Sequence, residues 1–194
     1  NKGKGIILGG ITGVPPTKVV IIGAGTVAEY AARAALSLGA EIQVFDNHLY
    51  KLRRIKHTLG HQFYTSTIDT ITLSESLLTA DVVIGALRAE KGKVRHVVSE
   101  EMVKSMRPDS LIIDLSIDQG GCIETSETTS LNRPVFRKYD IIHYCVPNVA
   151  SRVATTATTA LSNIFTPTIL RAAEEGGVEE MIFAHKWFMQ GVYT

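Results

Sequence analysis

The residues best placed to do chemistry in this sequence are a glycine cluster and an acid that follows it. Lys18-Val19-Val20-Ile21-Ile22 runs directly into Gly23-Ala24-Gly25-Thr26-Val27-Ala28, a G-x-G-x-x-A string set where a β-strand would turn into a helix. Gly23 permits a tight turn, Gly25 keeps side-chain atoms away from an approaching ligand, and Ala28 is small enough for the helix to pack closely on the strand. The amides of Thr26 and Val27 would then face an anion from the positive end of the helix dipole, a cradle suited to a pyrophosphate.

Gly-rich turns also arise for local reasons, so the string alone is weak. It gains weight from Asp46, which ends a second apolar run, Glu41–Phe45, at about the 20-residue spacing that places a carboxylate on a ribose. A carboxylate there accepts from both ribose hydroxyls and repels a 2′-phosphate. Asn47 and His48 come next, with no Arg, so the expected cofactor is NAD rather than NADP; Lys51, Arg53 and Arg54 are the residues that pull the other way. A local role is also open to Asp46, as cap of the following helix.

The elements that must position these groups are legible as apolar runs. Strands are predicted at Lys18–Ile22, Glu41–Phe45, Gln62–Thr65, Asp81–Gly85, Ser110–Asp114 and Ile141–Tyr144. All are short and nearly all apolar, as expected when helices cover both faces of a parallel sheet. Val27, Tyr30, Ala31, Ala34, Ala35 and Leu38 recur at helical spacing, so the first crossover is a helix ending near Gly39. The fold class is α/β, a Rossmann-type doubly wound parallel sheet. After Asn148 the strand pattern stops: Val153 to Ala173 and Val178 to Phe188 read as helices separated by Gly176-Gly177, with Pro167 expected to kink or interrupt the first. The predicted organisation is a leading segment 1–14, a nucleotide-binding domain 15–148 and C-terminal helices 149–194.

Composition narrows the function classes. The 194 residues carry 20 Lys and Arg against 19 Asp and Glu, a net charge of +1, which gives no general attraction to nucleic acid or membrane. Two distant cysteines, Cys122 and Cys145, suit a reducing compartment and provide no disulfide framework, so a cytoplasmic protein is expected. The six histidines show no metal-ligand spacing, and no metal site is assigned. The chain opens Asn1-Lys2-Gly3 and closes in an apolar run, Trp187 to Thr194, which reads as a piece of a longer protein.

Ligands of such sheets bind beyond the carboxyl ends of the strands. There the sequence offers Ala86 and Leu87 after the fourth strand, Asp118-Gln119-Gly120-Gly121-Cys122-Ile123-Glu124-Thr125 after the fifth, and His143-Tyr144-Cys145-Val146-Pro147-Asn148 at the sixth. Asp118 in such a string is also good turn chemistry, and Asn148 is equally placed to cap the next helix.

With these strings, with Gly9-Gly10-Ile11-Thr12-Gly13-Val14-Pro15-Pro16, and with Glu100-Glu101-Met102-Val103-Lys104-Ser105-Met106, the chain resembles the alanine dehydrogenase family over nearly its whole length. The Asp-Gln-Gly-Gly-Cys-Ile-Glu-Thr string separates it from the related proton-translocating transhydrogenase alpha subunits, which usually carry a Glu-Gln-Gly-Gly-Asn variant. The resemblance implies an NAD-dependent oxidoreductase of amino-acid metabolism that interconverts L-alanine and pyruvate plus ammonia, and that is a homo-oligomer when full length. It implies Asp118 as the active-site aspartate, Asn148 near the carboxamide, Ala86, Leu87 and Val146 as walls of the cofactor site, and Asp46 with Lys51 around the adenosine ribose. The family's catalytic His and substrate-holding Lys and Arg belong to a second domain, so this chain by itself is expected to bind NAD and turn over little alanine. Two strings depart from the family pattern and bear on substrate identity: Glu90-Lys91-Gly92-Lys93-Val94-Arg95, and Asn148-Val149-Ala150. A transhydrogenase module and a non-catalytic NAD-binding module are the competing readings.

Overall fold

The computed structural model describes residues 3–88 and 95–184. Two compact units are present, Asn1–Pro147 and Asn148–Thr194. In the first, strands β1 (Lys18–Ile22), β2 (Glu41–Phe45), β3 (Tyr64–Ser66), β4 (Val82–Gly85), β5 (Leu111–Asp114), β6 (Val135–Lys138) and β7 (Ile141–Tyr144) form one sheet in the order β3-β2-β1-β4-β5-β7-β6. Every pairing is parallel except the β6–β7 hairpin. The order reverses between β1 and β4, the crevice where doubly wound sheets take their ligands.

The run Lys18–Ile22 has no polar–apolar alternation because both its faces are covered. Val19 and Ile21 pack with Ala28, Ala32, Ala35, Leu52 and Ile55 from helices α1 (Thr26–Ser37) and α2 (Leu49–Leu59). Val20 and Ile22 pack on the opposite side with Leu73 and Leu77 of α3 (Thr70–Thr79) and Met102 and Val103 of α4 (Glu100–Lys104). Each such large side chain taken from water contributes about 1.5 to 3 kcal/mol. On α1 the inward residues are alanines, which lets the helix start lie close against the strand that feeds it.

Besides a shift of the third strand from Gln62–Thr65 to Tyr64–Ser66, two features differ from the sequence expectation. The strand Val135–Lys138 carries Arg137 and Lys138 and is an edge strand, so it lacks the apolar signal of the others. Its link to β7 is the two-residue turn Tyr139-Asp140, with both φ angles positive at 53° and 59°. In the second unit, α5 (Ala154–Glu174) runs through Pro167 without interruption, after a 3-10 turn at Val149–Val153 and before α6 (Val178–Ala184). Pro167 lies on exposed surface, where a carbonyl left without its amide partner can turn to water. Among the described residues no helix is long and apolar enough to cross a membrane.

His143 is a buried titratable group at the β7 edge of the core. Its Nδ1 lies 3.1 Å from the Ile141 carbonyl, which can only accept, so the ring proton is on Nδ1 and the Thr125 hydroxyl donates to Nε2 at 2.8 Å. Phe136 stacks on the ring at 4.7 Å. Burial holds the imidazole below its usual 6.5. The unfolded chain therefore takes up a proton before the folded one does, and folding stability is complete above 6.5 and falls as the pH drops through that value. Urea titrations from pH 8 to pH 5 should record this loss, at most about 1.4 kcal/mol per pH unit, and His143→Gln should flatten it. A wild-type profile already level over this range would contradict the assignment.

Candidate functional site

The glycine turn is built from three strands. The Gly23 amide donates to the Phe45 carbonyl at 2.6 Å and the Ala86 amide to the Ile22 carbonyl at 2.8 Å, so β1 is held between the ends of β2 and β4 where the chain turns into α1. Gly23 has φ +111°, and a Cβ there would lie 2.7 Å from the Ala86 carbonyl carbon and closer still to its oxygen. Gly25 is different. Its φ of −80° suits any residue, and a Cβ would meet no atom within 4 Å. Among the described residues, then, no atom stands where a Cβ at position 25 would go. Helix α1 starts at Thr26 with no side-chain cap, so its first amides have no partner within the helix.

Asp46 stands directly behind this loop. Its Oδ2 accepts from the Ala24 amide at 2.8 Å, and its Oδ1 accepts from the His48 amide at 2.7 Å and lies 3.0 Å from His48 Nδ1. The residue preceding α2 is His48, without a side-chain cap, so Asp46 spans two strand ends instead of capping that helix. It is 3% exposed.

A cleft of about 480 Å³ opens above the sheet. It brings together Gly25, Thr26, Val27, Lys51, Ala86, Leu87 and Asp118 from the residues singled out in the sequence. Gly23 and Asp46 lie behind it as buried supports, and Val146 is buried after β7 and does not line it. Asn148 opens the second unit with φ 48° and does not cap the next element with its side chain. Asp118 is exposed on a 3-10 turn, Ile117–Gln119, just beyond β5. Residues 89–94, which hold most of the first divergent string and Lys93, lie outside the described residues, as do His185 and the run Trp187 to Thr194.

Sequence reasoning passed over the residue that holds the Asp118 turn in place. Asp114, 1% exposed at the end of β5, accepts from the Ser116 amide at 2.9 Å, the Cys122 amide at 3.0 Å and the Ser126 hydroxyl at 2.8 Å. A carboxylate closing a buried strand before a Gly-Gly turn was the available signal. Tyr50, Arg54, Arg88, Leu115, Ser116 and Gln119 also line the cleft, and among the described residues the Ser116 hydroxyl has no hydrogen-bond partner. Cys122 is buried, and burial, followed by the Asp114 charge, pushes its thiol far up, which disfavours the thiolate. Among the described residues no three His, Cys, Asp or Glu side chains gather as a metal ion would need.

A parallel sheet that reverses at β1/β4, a glycine turn into an uncapped helix and a carboxylate at the end of β2 define a Rossmann-type domain. The particular family follows from comparison with known proteins. The family model described as "Alanine dehydrogenase/PNT, C-terminal domain" matches residues 1–194, and the chain belongs to this family. It is 40% identical over 174 residues to an alanine dehydrogenase of Mycolicibacterium smegmatis, covering 90% of this chain and 47% of that protein. With an alanine dehydrogenase of Bacillus subtilis it shares 38% over 180 residues, 92% of this chain and 48% of the other. Among solved structures, an L-alanine dehydrogenase superposes with a TM-score of 0.92 at 33% identity over 99% of this chain and 53% of that one. A transhydrogenase from Sinorhizobium meliloti reaches 0.71 at 24% over 82% of this chain and 46% of its own, a likeness of fold. The chain spans about half the length of the alanine dehydrogenases it matches.

Proposed function

We propose that this chain is the NAD-binding half of an NAD-dependent alanine dehydrogenase, which interconverts L-alanine and pyruvate plus ammonia. The observation that carries the reading is Gly25, where a Cβ would meet none of the described atoms within 4 Å, beside helix-start amides that no side chain caps and a strand-end carboxylate. Such a cradle accepts a pyrophosphate through backbone amides, and a Cβ in it would occupy the ligand's place. The relatives at 40% and 38% identity carry the name alanine dehydrogenase, which favours alanine over the transhydrogenase alternative.

When bound, the nicotinamide ring supplies the hydride acceptor. The chain's own residues bind and orient it: Thr26 and Val27 amides on the pyrophosphate, Lys51 at the adenosine ribose with Asp46 bracing the glycine loop from behind, and Ala86 and Leu87 as apolar walls. Asp118 stands on the β5 side of the cleft, where a carboxylate beside the substrate carbon can orient the reacting amine. Two free, buried cysteines suit the cytoplasm as the place of work.

Calorimetric titration tests the reading. The chain should take up NAD, and Gly25→Ala should reduce the affinity at least about tenfold while leaving the melting temperature near that of the wild type, since a Cβ there meets none of the described atoms within 4 Å. Alanine-dependent NADH formation by this chain alone should be absent or slight, because groups on both sides of the cleft are needed. No NAD uptake, or equal uptake by the Gly25→Ala variant, would defeat the proposal.

A further inference from the structure

We infer that Arg54 is a pyrophosphate-binding residue of the cleft, a role that rests on reading the cleft as a dinucleotide site. Arg54 follows Lys51 by three residues and Tyr50 by four on α2, and all three line the cleft. Arg54 Nη2 donates to the Ala24 carbonyl at 3.0 Å, which anchors the guanidinium on the residue between Gly23 and Gly25. The next residues along are the Gly25, Thr26 and Val27 backbone that lines the same cleft.

One N–H of the guanidinium is used by Ala24, and the planar fork keeps four more donors, enough for paired contacts with phosphate oxygens. The charge around it points the same way. Lys51, Arg54 and Arg88 all line the cleft, and among the described residues none of the three is in an ion pair. Elsewhere Lys4 is paired with Asp81, Lys104 with Glu100 and Arg137 with Asp109. Among the described residues the cleft wall sets one acid, Asp118, against three cations. Cations gathered in excess of acids repel one another, and a bound dianion relieves that repulsion. Because Arg54 is fixed to the loop that cradles phosphate, it is the cation of the three whose geometry selects the pyrophosphate over a 2′-phosphate on the ribose.

The test uses the 194-residue chain and the probes ADP-ribose, NAD and NADP. Arg54→Met should weaken ADP-ribose and NAD by about tenfold or more, Arg54→Lys should recover most of the loss through its charge, and Arg54→Gln should recover little. Recovery by Gln equal to that by Lys would mean that Arg54 acts only through its bond to Ala24, and would overturn the inference. So would unchanged ADP-ribose affinity in Arg54→Met, or a loss confined to NADP, which would assign the guanidinium to a 2′-phosphate. If the wild-type chain takes up none of the three probes, the dinucleotide reading itself fails, a result distinct from equal uptake by wild type and Arg54→Met.

Discussion

Replacing Gly23 by alanine is expected to destabilise the first unit by about 4 kcal/mol or more, enough to leave little folded protein at 37 °C. Two costs combine. The φ of +111° lies where an L side chain is strained, and the new methyl group would press on the Ala86 carbonyl, which is backbone and has no side-chain freedom to yield. Ala86 cannot retreat cheaply, because its amide is bonded to the Ile22 carbonyl and Leu115 beyond it is tied to β4 through the Gly85 carbonyl. The loss should appear in urea denaturation with no ligand present. It thereby separates Gly23, needed by the fold, from Gly25, where a Cβ meets none of the described atoms. A Gly23→Ala protein within about 1 kcal/mol of the wild type would show that the turn can relax, and would remove this distinction.

The second large effect is expected at Asp114. Asp114→Ala strips the acceptor from the Ser116 and Cys122 amides and from the Ser126 hydroxyl, inside a site with almost no solvent access. Each buried amide left unpaired costs about 1 to 3 kcal/mol, so a total loss of about 3 to 5 kcal/mol is expected. Asp114→Asn should recover only part of it, since the amide nitrogen that replaces one oxygen would face an N–H or O–H donor. The segment 115–126 should also become the preferred site of limited proteolysis, as the Asp118 turn loses its support. An Asp114→Ala protein with normal stability and an uncut 115–126 segment would show that the turn is held by its glycines alone.

The core of the fold was legible because the sheet is covered on both faces. Continuous apolar runs such as Lys18–Ile22 and Glu41–Phe45 mark such strands without reference to partners, and both were bounded to the residue. The edge strand Val135–Lys138 was not legible, since one exposed side permits Arg137 and Lys138 and its only partner, β7, is antiparallel. The third strand was placed early, at Gln62–Thr65 instead of Tyr64–Ser66, for a related reason: it is the other sheet edge, and its Tyr64-Thr65-Ser66 carries no apolar run. Pro167 signals a break in sequence terms, but whether a helix breaks depends on solvent access to the freed carbonyl, which only coordinates reveal.

The candidate site shows the same division. Gly23, Gly25 and Asp46 are readable because spacing along one β-α-β unit fixes their geometry. Asp114 was hidden because its partners are amides and a hydroxyl up to 12 residues away, and amides have no residue type to read. Arg54 was visible as a charge, but the Ala24 carbonyl that orients it has no signature in the sequence.

The Ala24 peptide is gripped on both flanks, its nitrogen by Asp46 and its carbonyl oxygen by Arg54. A loop clamped in this way is already stiff before any visitor arrives, so docking need not freeze it. The entropic toll that a floppy Gly-rich segment would levy on association is met during folding instead, and encounter can lead to capture without a slow rearrangement.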